Sequence, residues 1–440
     1  MAGKFDQLVA TAIAHHNAGQ LDQAEAAYRD ALVISPGHAA ITHNLGVLAA
    51  AQSKHGSAIA CFDKAIAAEP SFVAAHYNRA VAQHSLGQSH EARQGFTRVC
   101  ALDPGHYHAH RALGFLWLAE GNRGRALDHF ARTYELRRGD DRTGIAAKSL
   151  TEATRGKLLH DAEQFRFLSE RLTDRQRFDV LARNYETVAN DFPEAPTTLS
   201  DRQLATLGDD YNTAIHICDA PEIAGRAVNE RPDRDAIMQS FRKRQAGAAW
   251  FDDLLTPPAL LGLKRYLLES TIWHDFSHIG GFVASYLEDG LACPLLLQIA
   301  DEIRGAFPEL LAPHPLSQAW AFKGREAKAA VEAHADDAAI SINFWVTADE
   351  ANLNPDGSGL VVCRVPPPAT WQMKDYDADK DEVAAFLDRH AGDSLIVRYR
   401  ENRATLFESR LFHRSDAPEF ATGYANHRIN LTLLFGRAGN

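Results

Sequence analysis

Two rhythms of apolar residues divide this 440-residue chain. Through the first third, apolar positions recur every three or four residues, which is the period of one buried helix face. The same spacing returns in 158–168 and 178–185. It returns again in 257–270, where Leu260, Leu261, Leu263 and Leu267 share a side, and in about 294–307. Beyond that the rhythm becomes alternation, rich in β-branched and aromatic residues, as in half-buried strands. Segments 316–322, 338–347, 359–365, 394–399, 404–407 and 428–435 are predicted strands, with one inserted helix at 379–390. A Gly/Asn/Asp/Pro cluster at 354–359 marks a turn, and Pro366, Pro367 and Pro368 end a strand. Helices followed by many short strands predict a helix-backed β sandwich or barrel.

The first third also repeats itself. Gly19, Gly87 and Gly121 lie on a 34-residue grid, with Ser53 in the remaining slot. Ala24, Ala58, Ala92 and Ala126 keep the same interval, as do Tyr28, Phe62, Phe96 and Phe130. Pro36, Pro70 and Pro104 close three units, and Leu45-Gly46 and Leu113-Gly114 provide small residues for a helix crossing. On these residues the segment of about 3–138 resembles the tetratricopeptide repeat family. The resemblance implies about four helix pairs stacked in an all-α solenoid, since one unit cannot bury its apolar face alone. It also implies that the first helices line a concave groove. Asn44 and Asn78 occupy equivalent places on those helices. In peptide-binding members of the family, asparagines there hold an extended backbone, so a protein or peptide is the expected partner. The neighbouring repeats carry Ala10 and Ala112 at that place, which leaves plain solvation of the asparagines as the other reading. His43, His76, His108 and His110 are spread along the array rather than gathered for a metal.

Charge and cysteines exclude more than they identify. A net charge of −11 argues against a broad nucleic-acid surface. No run reaches membrane-spanning length and no apolar signal core opens the chain. Five scattered cysteines without a Cys-x-x-Cys pair point to reduced thiols and a cytoplasmic setting. No phosphate-cradling Gly-rich loop and no local hydrolase motif is present. The expected domains are therefore a repeat array at 1–140, a helical connector at 141–245 without chemistry of its own, and a β-rich domain at 246–440.

The chemistry lies in that last domain. His334 and Asp336 are two apart, a spacing that puts both on one face of a strand. His413 follows 77 residues after Asp336, and Arg428 lies 15 residues further on. Two histidines and one carboxylate leave three positions of an octahedron open, which suits a non-haem Fe(II) oxygenase. In this ordered set, residues 246–440 resemble the Fe(II)- and 2-oxoglutarate-dependent oxygenase superfamily. The resemblance implies a double-stranded β-helix (a jelly-roll, cupin-like fold) with His334, Asp336 and His413 as iron ligands. It implies Arg428 as partner of the far carboxylate of 2-oxoglutarate, with Asn430, Thr432 and Asn343 on the surrounding face. Because the interval from His413 to Arg428 is long for the pattern, Arg398 and Arg403 remain competitors. Trp320, Trp345 and Lys323 are further candidates for the pocket wall.

The expected function is a dioxygenase, a hydroxylase using Fe(II), 2-oxoglutarate and O2 on a substrate recruited by the repeats. Two alternatives stand beside it. One is a small-molecule oxygenase whose repeats serve assembly. The other is a catalytically inactive adaptor.

Overall fold

The computed structural model describes residues 2–139, 148–243, 247–277, 281–324, 330–368, 370–371 and 380–437. The expected domain junction at 245/246 and the first residue of the inserted helix, Asp379, fall outside these. The chain divides into two compact units, Met1–Leu116 and Trp117–Asn440.

The first unit is a run of helices: α1 (Ala2–Asn17), α2 (Leu21–Ile34), α3 (Ala39–Ala51), α4 (His55–Ala68), α5 (Val73–Ser85), α6 (Ser89–Leu102) and the start of α7 (Tyr107–Ala119). The grid residues sit where packing is tightest. Tyr28, Phe62 and Phe96 are buried. A Cβ on Gly46 would meet the Phe62 ring at 2.6 Å, so only glycine lets α3 and α4 cross this closely. Gly19 and Gly87 turn the chain at φ +72° and +75°, and Ser53 takes the same left-handed turn at φ 59°.

The second unit begins with the end of α7 and with α8 (Arg123–Arg138). Arg138, at the C-terminus of α8, makes a buried two-pronged ion pair with Asp289 at 2.9 and 2.7 Å. The last grid helix is thereby tied to the β-rich part of this unit. Helices Arg155–Ser169 and Arg175–Ala189 pack together around Leu158, Phe165, Phe178 and Tyr185. A two-stranded ribbon, β1 (Glu152–Ala153) with β2 (Thr197–Thr198), lies beside them in sequence.

Two larger antiparallel sheets follow. Their strands are β3 (Ala248–Phe251), β4 (Phe282–Tyr286), β5 (Leu316–Gly324), β6 (Ile340–Trp345), β7 (Leu360–Cys363), β8 (Ser394–Val397), β9 (Ala404–Glu408), β10 (His413–Ser415) and β11 (Ile429–Phe435). The six-stranded sheet has the order β3-β9-β6-β11-β5-β4, and the three-stranded sheet has the order β10-β7-β8. Helices Pro257–Glu269, Pro294–Ala306 and Lys380–Arg389 agree with the sequence periodicity.

Register assigns each side chain of the large sheet to a face. Across β11, Thr432 is opposite Trp320 on one side and Asn343 on the other, and Asn430 is opposite Phe322 and Trp345. These residues share a single face, continued onto β9 by Thr405 opposite Asn343. Lys323 corrects an expectation. It was expected at the pocket wall, but strand alternation turns it to the opposite face from Trp320 and Phe322. There its ammonium lies 2.9 Å from the centroid of the Tyr424 ring. Burial pushes its pKa well below the ordinary lysine value.

Candidate metal centre

His334 and His413 come from distant segments joined by reciprocal backbone bonds. His334 N–H donates to the His413 carbonyl at 3.0 Å, and His413 N–H donates back at 2.8 Å. The antiparallel bridge sets the two rings side by side, with centroids 4.2 Å apart. Asp336 reaches the same place by another route. The spacing predicts one strand face for His334 and Asp336, but only His334 is in a bridge, and Asp336 lies in the loop before β6. Its N–H donates to the Ser409 carbonyl at 2.9 Å, and this bond fixes the loop.

The donor atoms of all three residues lie within 4.8 Å of one another. Asp336 is 3.7 Å from His334 Nε2 through Oδ1 and 3.6 Å from His413 Nε2 through Oδ2. Both imidazoles are oriented from behind. His334 Nδ1 bonds the Glu332 carbonyl at 2.9 Å, and His413 Nδ1 bonds the Leu411 carbonyl at 3.0 Å. A carbonyl only accepts, so each Nδ1 carries a proton and each Nε2 is the ring nitrogen turned toward Asp336. Ser341 donates to Asp336 Oδ2 at 2.6 Å and holds the carboxylate in place. Burial, then the neighbouring His334, pushes the His413 pKa down to about 4, so the ring is neutral at pH 7. Asp336 and His413 are buried, and half-buried His334 forms the open side. Among the described residues this is the only cluster of three potential ligands.

The face of the large sheet next to this centre carries an unusual set of atoms. Asn343 Oδ1, Trp345 Nε1, Thr405 Oγ1, Arg428 Nε and Asn430 Oδ1 are buried without a hydrogen-bond partner. They share the face of Ser341, which holds Asp336, and of Phe407, whose ring is 4.7 Å from that of His413. Arg428 donates through Nη2 to the Gly359 carbonyl at 3.2 Å and stands 5.7 Å from the Trp345 ring centroid. No carboxylate among the described residues pairs with it, and burial pushes its pKa down to about 10. Gly359 is required where it stands, because a Cβ would lie 1.8 Å from the Val397 carbonyl oxygen. The two competing arginines are differently engaged. Arg403 grips Asp252 at 2.6 and 3.1 Å, and Arg398 is exposed beside Asp356 at 3.4 Å. Sequence reasoning missed Ser341 and Thr405. Their signal was a polar residue on alternate positions of an otherwise apolar strand.

In the first unit, the asparagines form part of a chain. Asn44 donates to the Tyr28 hydroxyl at 3.3 Å, and its amide oxygen accepts from His43 Nδ1 at 3.2 Å. Asn78 donates to His43 Nε2 at 2.8 Å. Both asparagines are half-buried, and one neutral imidazole links the two repeats. Burial holds the His43 pKa below its ordinary value, which suits that neutral form. His76 and His110, one repeat apart, bond the Pro70 and Pro104 carbonyls. They tie down the closing turns.

Residues 43–106 match the family model described as tetratricopeptide repeat. The N-terminal segment is built of tetratricopeptide repeats. Solved structures similar to it include MamA, at 20% identity over 30% of this chain and 77% of that one, with a TM-score of 0.29. Another is MamA 41-end from Desulfovibrio magneticus RS-1, at 23% identity over 31% and 77%, with a TM-score of 0.29. A third is the first tetratricopeptide repeat domain of Spaghetti (RPAP3) bound to an HSP90 peptide, at 21% identity over 28% and 96%, with a TM-score of 0.27. No curated protein matches the chain. No helix among the described residues is long and apolar enough to cross a membrane.

Proposed function

We propose that the second unit is an Fe(II)- and 2-oxoglutarate-dependent oxygenase, a hydroxylase, acting on a protein or peptide recruited by the tetratricopeptide repeats. The carrying observation is the row of partnerless buried polar atoms on the face beside the His334, Asp336 and His413 cluster. A buried unsatisfied group costs about 1–3 kcal/mol, and a charged one more. Three of the atoms in that row, Trp345 Nε1, Thr405 Oγ1 and Arg428 Nε, are donors, which fits an anionic, oxygen-rich ligand.

Strand order supports the reading. The large sheet contains β5-β11-β6-β9, and the small sheet becomes four-stranded when the His334 bridge is counted beside β10. Two facing antiparallel sheets of this order fit a jelly-roll, the double-stranded β-helix of the oxygenase resemblance. Donor chemistry supports it too. Two imidazoles and one carboxylate suit Fe(II) and leave room for other ligands. Bound there, Fe(II) supplies the activation of O2 that couples decarboxylation of 2-oxoglutarate to hydroxylation of a C–H bond.

The chain's own residues have separate tasks in this reading. His334, Asp336 and His413 hold the metal, and Ser341 positions Asp336. Arg428 pairs with the far carboxylate of 2-oxoglutarate in a site that excludes water, where a charge-assisted bond is strongest. Trp345 and Thr405 offer donors, and Asn343, Asn430 and Thr432 complete the polar wall. The test is succinate release from 2-oxoglutarate with Fe(II), with and without candidate peptides. Wild type releases succinate, and Asp336→Ala does not. Absence of both 2-oxoglutarate binding and succinate release in the wild type overturns the reading.

A further inference from the structure

The same sheet face changes character at its other end. On β4 and β5, four aromatic rings run in succession: Phe282 to Phe322 at 5.8 Å, Phe322 to Trp320 at 6.2 Å, and Trp320 to Tyr286 at 6.5 Å between centroids. Register explains the run. Tyr286 faces Trp320 and Ala284 faces Phe322, so the rings share one face, and Ala284 leaves space between them. The rings line a cavity of about 520 Å³, within the size range of small-molecule sites. Val383, Ala384 and Leu387 of helix Lys380–Arg389 form another wall. That helix is seated by buried Phe386, whose ring packs on Phe412 and Trp371 at 6.0 and 5.7 Å. His334 and Asp336 line the same cavity.

Charge is kept to its edge. Glu332 and Lys380 pair at 3.0 Å on the exposed rim. The third charged group, Asp336, belongs to the candidate metal cluster and is held by Ser341. Aromatic walls bind a ring through edge-to-face and offset contacts. They also attract cations, but among the described lining residues Glu332 is paired with Lys380, Asp336 is held by Ser341, and the lysine repels a cation.

We propose that the substrate enters this cavity with a neutral aromatic group, presented to the face of His334 and Asp336. The substrate role rests on the oxygenase reading, because only a reactive metal makes the cavity a place of reaction.

Indole serves as the probe, with tetramethylammonium as the cationic control. Full-length, metal-free protein is titrated with each by calorimetry. Mn(II) is then added in place of Fe(II), and its relaxation of the indole protons is read by NMR. Indole is expected to bind metal-free protein more tightly than tetramethylammonium. Ala384→Trp fills the cavity from an exposed helix position and lowers indole affinity at least about tenfold, with Mn(II) affinity unchanged. Trp320→Ala removes one ring from the wall and lowers indole affinity about tenfold as well. Mn(II) relaxes bound indole in the wild type and not in Asp336→Ala. Absent indole binding, tighter tetramethylammonium binding, or wild-type affinity in both variants overturns the aromatic pocket. Indole binding with no Mn(II) uptake overturns the metal reading, and the substrate role with it.

Discussion

Asparagine has opposite circumstances in the two units. In the repeats, Asn44 and Asn78 are joined through His43 in a continuous chain of hydrogen bonds. On the sheet, Asn343 and Asn430 bury their amide oxygens with no partner, beside an equally partnerless Arg428 Nε. In the first case the polar groups add to the stability of the scaffold. In the second they subtract from it, by about 1–3 kcal/mol each, and the fold retains them. On the proposed function, the ligand's atoms offset that loss on the sheet face. The contrast sets a bonded asparagine chain in the repeats against unsatisfied amide oxygens on the sheet face.

The largest expected effect breaks the metal side of the contrast. Asp336→Ala should reduce Mn(II) or Fe(II) affinity by more than about a hundredfold, beyond the loss seen for an outer-shell partner. Metal titration against wild type measures it, and equal affinity would remove the centre from consideration. Next, Arg428→Ala should weaken 2-oxoglutarate binding by about 2–5 kcal/mol with metal affinity nearly intact, read by calorimetry. If Arg403→Ala gives that result and Arg428→Ala does not, the arginine is misassigned.

Ser341→Ala tests the support behind the ligand. Losing the hydroxyl that holds Asp336 should lower metal affinity about 10–100-fold without changing the ligand set. Smaller and sharper is the sign of a stability change. Arg428→Met should raise the stability of ligand-free protein by about 1–3 kcal/mol, because it replaces a buried cation that has no carboxylate partner among the described residues with an apolar chain. Asn44→Ala should lower stability by about 1 kcal/mol, because it breaks a bonded chain. Urea denaturation distinguishes these signs, and a loss of stability in both variants would erase the contrast. Replacing Asn44 and Asn78 together should also raise KM for a protein substrate while uncoupled succinate release stays constant. Unchanged KM after deletion of the whole array would make the repeats assembly elements.

These differences also explain what could be read from the chain. The repeats were legible because their information is local. A 34-residue interval fixes Gly46 against Phe62 with no reference to distant sequence. His334, Asp336 and His413 were legible as residue types in order, and the structure brings them together. The means of their meeting were not legible. β10 has three residues, too few to show a period, and the bridge from His334 is a single pair. β4 is buried along most of its length, so its sequence does not alternate. The face assignment of Lys323 required the register of β5. Which arginine lacks an acid partner depended on Asp252, 151 residues before Arg403. Such pairings belong to tertiary structure, and spacing in the chain does not encode them.

The reciprocal bridge between His334 and His413 has a further consequence. Two residues that exchange backbone bonds cannot separate without opening that bridge, so the backbone spacing of the pair is set by the fold. On the proposed function, the centre would act as a rigid gauge, selecting an ion by its radius more than by adapting to it. The two bridge amides are also internal reporters. Their deuterium uptake measures how often the gauge opens, and a bound ion should slow both amides together, with no turnover required.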